Sequence, residues 1–86
     1  MDTRIALIGI IVENTDAVLE LNSILHEYRM YIVGRMGIPY QKRKISVISV
    51  VVDAPNDVIS ALSGKLGMLP HVNIKTLYSK VPPTVE

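Results

Sequence analysis

The side chains best suited to chemistry crowd into one stretch, His26 to Tyr40 (HEYRMYIVGRMGIPY). It holds three of the four tyrosines, one of the two histidines, two arginines and two glycines. Arginine offers a rigid fork of donors for a carboxylate or phosphate. Tyrosine offers apolar area with a polar tip, and glycine lets a ligand or a neighbouring chain approach the backbone closely. Tyr28, Tyr31, Arg35 and Met36, beside Gly34 and Gly37, are therefore the candidates for binding a small effector or a protein partner. Residue types leave a second role open for the same set: the glycines bending an edge strand, and Arg35 meeting an acid of a neighbouring subunit.

Other chemistries find less to work with. His26 and His71 are weak metal candidates, with Glu27 as a carboxylate helper, but no ligand spacing joins them; His26, Glu27 and Tyr31 carry the alternative function, a metal-binding accessory protein or small enzyme in cofactor assembly. No metal or cofactor is expected. The absence of cysteine removes CxxC metal and redox motifs and any thiol nucleophile. Ser46, Ser49, Ser60 and Ser63 have no histidine at a telling spacing, and no carboxylate dyad stands out, so no catalytic activity is expected.

The elements that must position these residues follow from periodicity. Thr3–Val12 is apolar and β-branched, a buried strand. Asn14 or Thr15 caps a helix of about four turns, whose inner stripe is Val18, Leu21, Leu25 and Tyr28. Tyr31–Ile38 is a second strand weakened by Gly34 and Gly37, Pro39–Lys44 is a turn, and Ile45–Val52 is a third strand. Pro55 lies near the start of a second helix, striped by Ile59, Leu62 and Leu66 and ended by Gly67. Val72–Ser79 is the last strand. The order β-α-β-β-α-β in one 86-residue chain specifies an α+β, ferredoxin-like sandwich: a four-stranded antiparallel sheet with two helices on one face. Residues 1–80 form this single domain, and 81–86 (VPPTVE) are expected to be a flexible tail. The first and third strands, the most apolar, belong in the middle of the sheet.

Composition sets further bounds. Net charge is +1, but residues 1–27 carry five acids against Arg4, while residues 28–52 carry Arg29, Arg35, Lys42, Arg43 and Lys44 with no acid. Such asymmetry suits an acidic partner or a second copy of the chain. No apolar stretch nears the roughly 18 residues that span a bilayer, and no cleavable leader is apparent, so a cytoplasmic protein is expected. The central strands contain no aromatic residue on which bases could stack, so direct nucleic-acid binding is not expected.

Both central strands are apolar on both sides. Ile5, Leu7, Gly9 and Ile11 oppose Ala6, Ile8, Ile10 and Val12, and Ile45, Val47, Ser49 and Val51 oppose Ser46, Ile48, Val50 and Val52. Two helices cover one face only. A homo-oligomer, dimer or tetramer, burying the free face or edge of the sheet is the expectation.

The segments YIVGRMGIPY and ISALSGKLG-LP give the chain a specific likeness. From about Arg4 to Lys80 it resembles the iron-only hydrogenase system regulators, small stand-alone domains similar to ACT domains and to the C-terminal domain of nickel-responsive repressors. The resemblance implies an ACT-like fold, self-association and a regulatory role linked to hydrogenase maturation or metabolism. This chain departs from the pattern at His71, where the family favours glycine after Leu-Pro. It lacks the cysteine of the nickel repressors' site and the ribbon-helix-helix domain with which those repressors read DNA. It also lacks the glycine that often follows the first strand in amino-acid-binding ACT domains.

Overall fold

Strict alternation along Arg4–Val12 (β1) sets the layers: Ala6, Ile8, Ile10 and Val12 are buried, while Ile5, Leu7, Gly9 and Ile11 are exposed. The structure, a computed structural model, describes residues 2–80, so the tail expected at 81–86 lies outside the described residues. After β1 come a 3-10 turn (Thr15–Ala17), α1 (Val18–Glu27), a second 3-10 turn (Arg29–Tyr31), β2 (Ile32–Tyr40) and β3 (Ile45–Ala54). The chain continues with α2 (Asn56–Gly67) and β4 (Val72–Tyr78). The strands form one antiparallel sheet in the order β2-β3-β1-β4, a ferredoxin-like arrangement with the two most apolar strands at its centre.

One core joins sheet and helices. Ala6, Ile8, Ile10 and Val12 of β1 and Ile48, Val50, Val52 and Ala54 of β3 pack with Leu21 and Leu25 of α1 and Ile59, Leu62 and Leu66 of α2. Each large aliphatic side chain removed from water there contributes about 1.5–3 kcal/mol. The helix stripes are those the 3.6-residue period requires, with Val18 and Tyr28 half-buried at the two ends of the α1 stripe. No buried side chain among the described residues is polar or charged.

Local chemistry places the joints. The Asn14 side chain accepts a hydrogen bond from the Asp16 amide at 2.9 Å, opening the first helical segment as a cap should. That segment starts as a 3-10 turn, so α1 proper is ten residues long, shorter than the four turns its stripe suggests. β2 runs on through Pro39 to Tyr40, where the sequence reads as a turn. An edge strand can turn an amide position away from the ladder, so proline is admissible there. The hairpin turn is Gln41–Lys44, with Lys44 at φ 56°.

His71 sits at φ 64°, in the left-handed region, and its carbonyl accepts the Glu13 amide at 2.8 Å. This bond ties the end of β1 to the turn that enters β4. A side chain at that φ costs roughly 1–2 kcal/mol, which explains why glycine suits the position better. His71→Gly is expected to stabilise the protein by up to about 1 kcal/mol after the extra entropy that glycine gains when unfolded. Thermal unfolding should show a midpoint a few degrees higher for His71→Gly and no such gain for His71→Ala.

Candidate functional site

The cross-strand register of β2 decides which candidate residues meet. Ile32 pairs with Val52 and Gly34 with Val51, so Val33 is an extra residue, a bulge in the edge strand. Beyond it, Gly34, Met36, Ile38 and Tyr40 pair with Val51, Ser49, Val47 and Ile45 on the open face. Arg35, Gly37 and Pro39 pair with Val50, Ile48 and Ser46 on the helix side. Without the bulge, the half-buried Ile32 would carry Gly34 and Met36 to its own side and leave Arg35 on the other. Of the candidates on β2, Gly34 and Met36 therefore face the open side and Arg35 and Gly37 the helix side, while Gly34, Arg35 and Met36 all border one groove.

On the helix side, Arg35 lies in an open cleft of about 310 Å³ between α1 and β2, lined by Asn22, Leu25, His26, Arg29, Ile32 and Arg35. Arg35 donates from Nη2 to Asn22 Oδ1 at 3.1 Å, and Arg29 donates from Nη1 to the His26 carbonyl at 3.0 Å. Asn22 and His26 are four residues apart and so share one side of the helix. Asn22 and Arg29 are not among the candidates that residue types single out. Their signal was present in that i, i+4 spacing and in the run of bases after residue 27. Gly37, on the same side of β2, has room at its Cα: an added Cβ would meet Ile48 Cγ1 at 3.8 Å.

Tyr28 is occupied otherwise. It caps the C-terminus of α1, is half-buried against the core, and lies under Lys65, whose Nζ is 5.1 Å from the ring centroid. Lys65 also pairs with Glu27 at 2.9 Å, clasping α2 to α1. The Glu27 carboxylate, and then the Tyr28 hydroxyl, hold the Lys65 ammonium above its usual pKa of 10.5. Glu27 is thus engaged with Lys65 rather than with a histidine. Tyr31 ends the second 3-10 turn, 37% exposed, with its amide bonded to the Tyr28 carbonyl.

His26 and His71 fall in different places, one in the α1–β2 cleft and one in the turn before β4. No group of three or more His, Cys, Asp or Glu side chains among the described residues could hold a metal ion. Arg29 and Arg35 beside His26 oppose a cation in that cleft.

The open face of the sheet is the larger feature. Ile5, Leu7 and Ile11 of β1, Val47 and Val51 of β3, Met36, Ile38 and Tyr40 of β2 and Leu77 of β4 all present side chains there. Apart from the half-buried Val51, they are 37–68% exposed. A row of smaller residues, Ser49 and Gly9, crosses the centre between Met36 and Lys75. Two shallow grooves flank it, one bordered by Gly9, Ile11, Val47 and Lys75 and the other by Leu7, Gly34, Arg35 and Met36. No described helix is long and apolar enough to cross a membrane.

Comparison with known proteins places this geometry. Residues 4–76 match the TM1266-like family, described as a proposed iron-only hydrogenase system regulator. Among solved structures, the chain is similar to the uncharacterized protein TM1266 from Thermotoga maritima. The two are 34% identical with a TM-score of 0.87, over 91% of this chain and 99% of that one. A formyltetrahydrofolate deformylase from Pseudomonas putida KT2440 shares the fold at 11% identity and TM-score 0.62, over 85% of this chain and 28% of that one. The divalent ion tolerance protein CutA1 from Ehrlichia chaffeensis shares it at 15% identity and TM-score 0.51, over 95% and 87%. No curated protein matches.

The Lys65 clasp gives a pH signature. A raised pKa in the folded state means a stabilisation that is full below pH 10.5 and lost as pH rises through the higher folded value. Lys65→Met should lower the thermal midpoint at neutral pH. The gap to the unaltered protein should close in strongly alkaline buffer, as measured by circular dichroism.

Proposed function

The chain belongs to the TM1266-like family of iron-only hydrogenase system regulators, matched over residues 4–76, and on that premise we propose a non-enzymatic regulatory module. In this reading it is a homo-oligomer, dimer or tetramer, joined through the open face of the sheet, that binds a small effector or a protein partner and so acts on the hydrogenase system. The observation that carries the assembly is the open face itself. Two central strands place Ile5, Leu7, Ile11, Val47 and Val51 on the side the helices do not cover, and the edge strands extend the patch with Met36, Ile38 and Leu77. On this face the central strands carry one charged side chain, Asp53, at the end of β3 opposite Ile5.

A second copy is the occupant that fits. Isologous pairing lays the same apolar rows against each other, and every residue counts twice. The Ser49–Gly9 depression gives each sheet room for a side chain of its partner. A binding rather than a catalytic role is supported by the helix-side cleft, where Arg29 and Arg35 each give one hydrogen bond to a neutral protein acceptor and keep further donors. A metal-binding accessory role, the other reading of His26, meets the two guanidinium charges in the same cleft.

Sedimentation velocity tests the assembly. The unaltered chain should sediment as a dimer or tetramer at micromolar concentration. Leu7→Asp should dissociate it with the fold retained. Loss of about 1.5–3 kcal/mol of burial from each copy corresponds to a weakening of the dimer by roughly two to four orders of magnitude. A monomer for the unaltered chain at that concentration would sink the proposal.

A further inference from the structure

The helix-side cleft has a chemistry that assembly through the opposite face leaves unused. We propose that the cleft between α1 and β2 binds a small organic oxyanion, a carboxylate or phosphate, gripped by Arg35 and Arg29. This rests on the reading above that the domain is an effector-binding regulator, and it names the effector's chemical class.

Four observations carry it. Each guanidinium is anchored by one hydrogen bond to a neutral acceptor, Arg35 to Asn22 Oδ1 and Arg29 to the His26 carbonyl. Each keeps the rest of its five donors for a ligand. Neither forms an ion pair with a carboxylate of the described residues, where the pairing is Lys65 with Glu27. The positive charge is therefore directed but uncompensated. Charge arithmetic favours an anion: two guanidinium charges face about half a negative charge at the C-terminus of α1, which Arg29 already meets through the His26 carbonyl.

Shape agrees with charge. The cleft is about 310 Å³, at the small end of the range for metabolite sites. Its polar rim is Asn22, His26, Arg29 and Arg35, and the half-buried Ile32 supplies apolar surface for a short carbon skeleton above the buried Leu25. The Val33 bulge is what brings Arg35 there, and bulges recur where a strand re-aims a side chain toward a site. The sheet side of β2 that faces a second copy carries Met36 and Ile38 instead, so ligand and subunit use opposite sides of the same strand.

Inorganic phosphate and succinate are the probes, titrated into 15N-labelled protein at constant ionic strength with sodium chloride as the reference salt. Saturable shifts are expected in the side-chain Nε–H signals of Arg29 and Arg35 and in the Asn22 amide group. Arg35→Gln should weaken binding at least tenfold, and Arg35→Lys should weaken it less, since it keeps the charge and loses the fork. Sedimentation of the same variants separates this from the assembly. Arg35→Gln that loses anion binding and keeps the oligomer supports the site. Arg35→Gln that falls to monomer makes Arg35 an interface residue and overturns the site. Shifts no larger than those from chloride, or confined to Lys42–Lys44, overturn the site while the assembly stands on its own test.

Discussion

Everything in this domain depends on a sheet that is apolar on both faces while the chain supplies helices for one. β1 and β3 bury Ala6, Ile8, Ile10, Val12, Ile48, Val50, Val52 and Ala54 under α1 and α2, and the same strands turn Ile5, Leu7, Ile11 and Val47 to the other side. The first set accounts for the stability of the subunit. The second contributes little to it, because those side chains stay 37–45% exposed. Burial of aliphatic area is worth enough per side chain that a face of this composition calls for a cover.

The edge strand β2 connects the two faces. Its bulge at Val33 gives Met36, Ile38 and Tyr40 to the apolar side and Arg35 to the cleft with Asn22 and Arg29. One strand thereby contributes to the proposed subunit contact and to the proposed anion site. An edge strand held on one side only is the element most able to shift with either. Occupation of the cleft and packing of the open face would act on the same backbone, and such an arrangement can couple a ligand to an assembly.

Much of this was legible from residue order. The stripes Leu21–Leu25 and Ile59–Leu62–Leu66, the central place of the first and third strands, and the second apolar face follow from periods of 3.6 and 2, and the structure has all of them. The likeness to hydrogenase-system regulators, carried by YIVGRMGIPY and ISALSGKLG-LP, agrees with the family match over residues 4–76. What could not be read was set by pairing rather than by local preference. A bulge is a relation between two strands, so the side taken by Arg35 was hidden, although its parting from Met36 follows from strand alternation alone. Pro39 suggested a turn because its tolerance in a strand depends on that strand lying at an edge. The place of Lys65 over the Tyr28 ring was hidden for the same reason, since it depends on how α1 meets α2.

The central claim is that a second copy covers the open face, and the concentration dependence of unfolding tests it most directly. If folded subunits are joined and unfolded ones are not, mass action raises the thermal midpoint as protein concentration rises. A midpoint that climbs steadily from low to high micromolar concentration is the predicted result. A midpoint independent of concentration over that range would mean that the subunit unfolds alone, with Leu7, Ile11 and Met36 facing water, and would contradict the account.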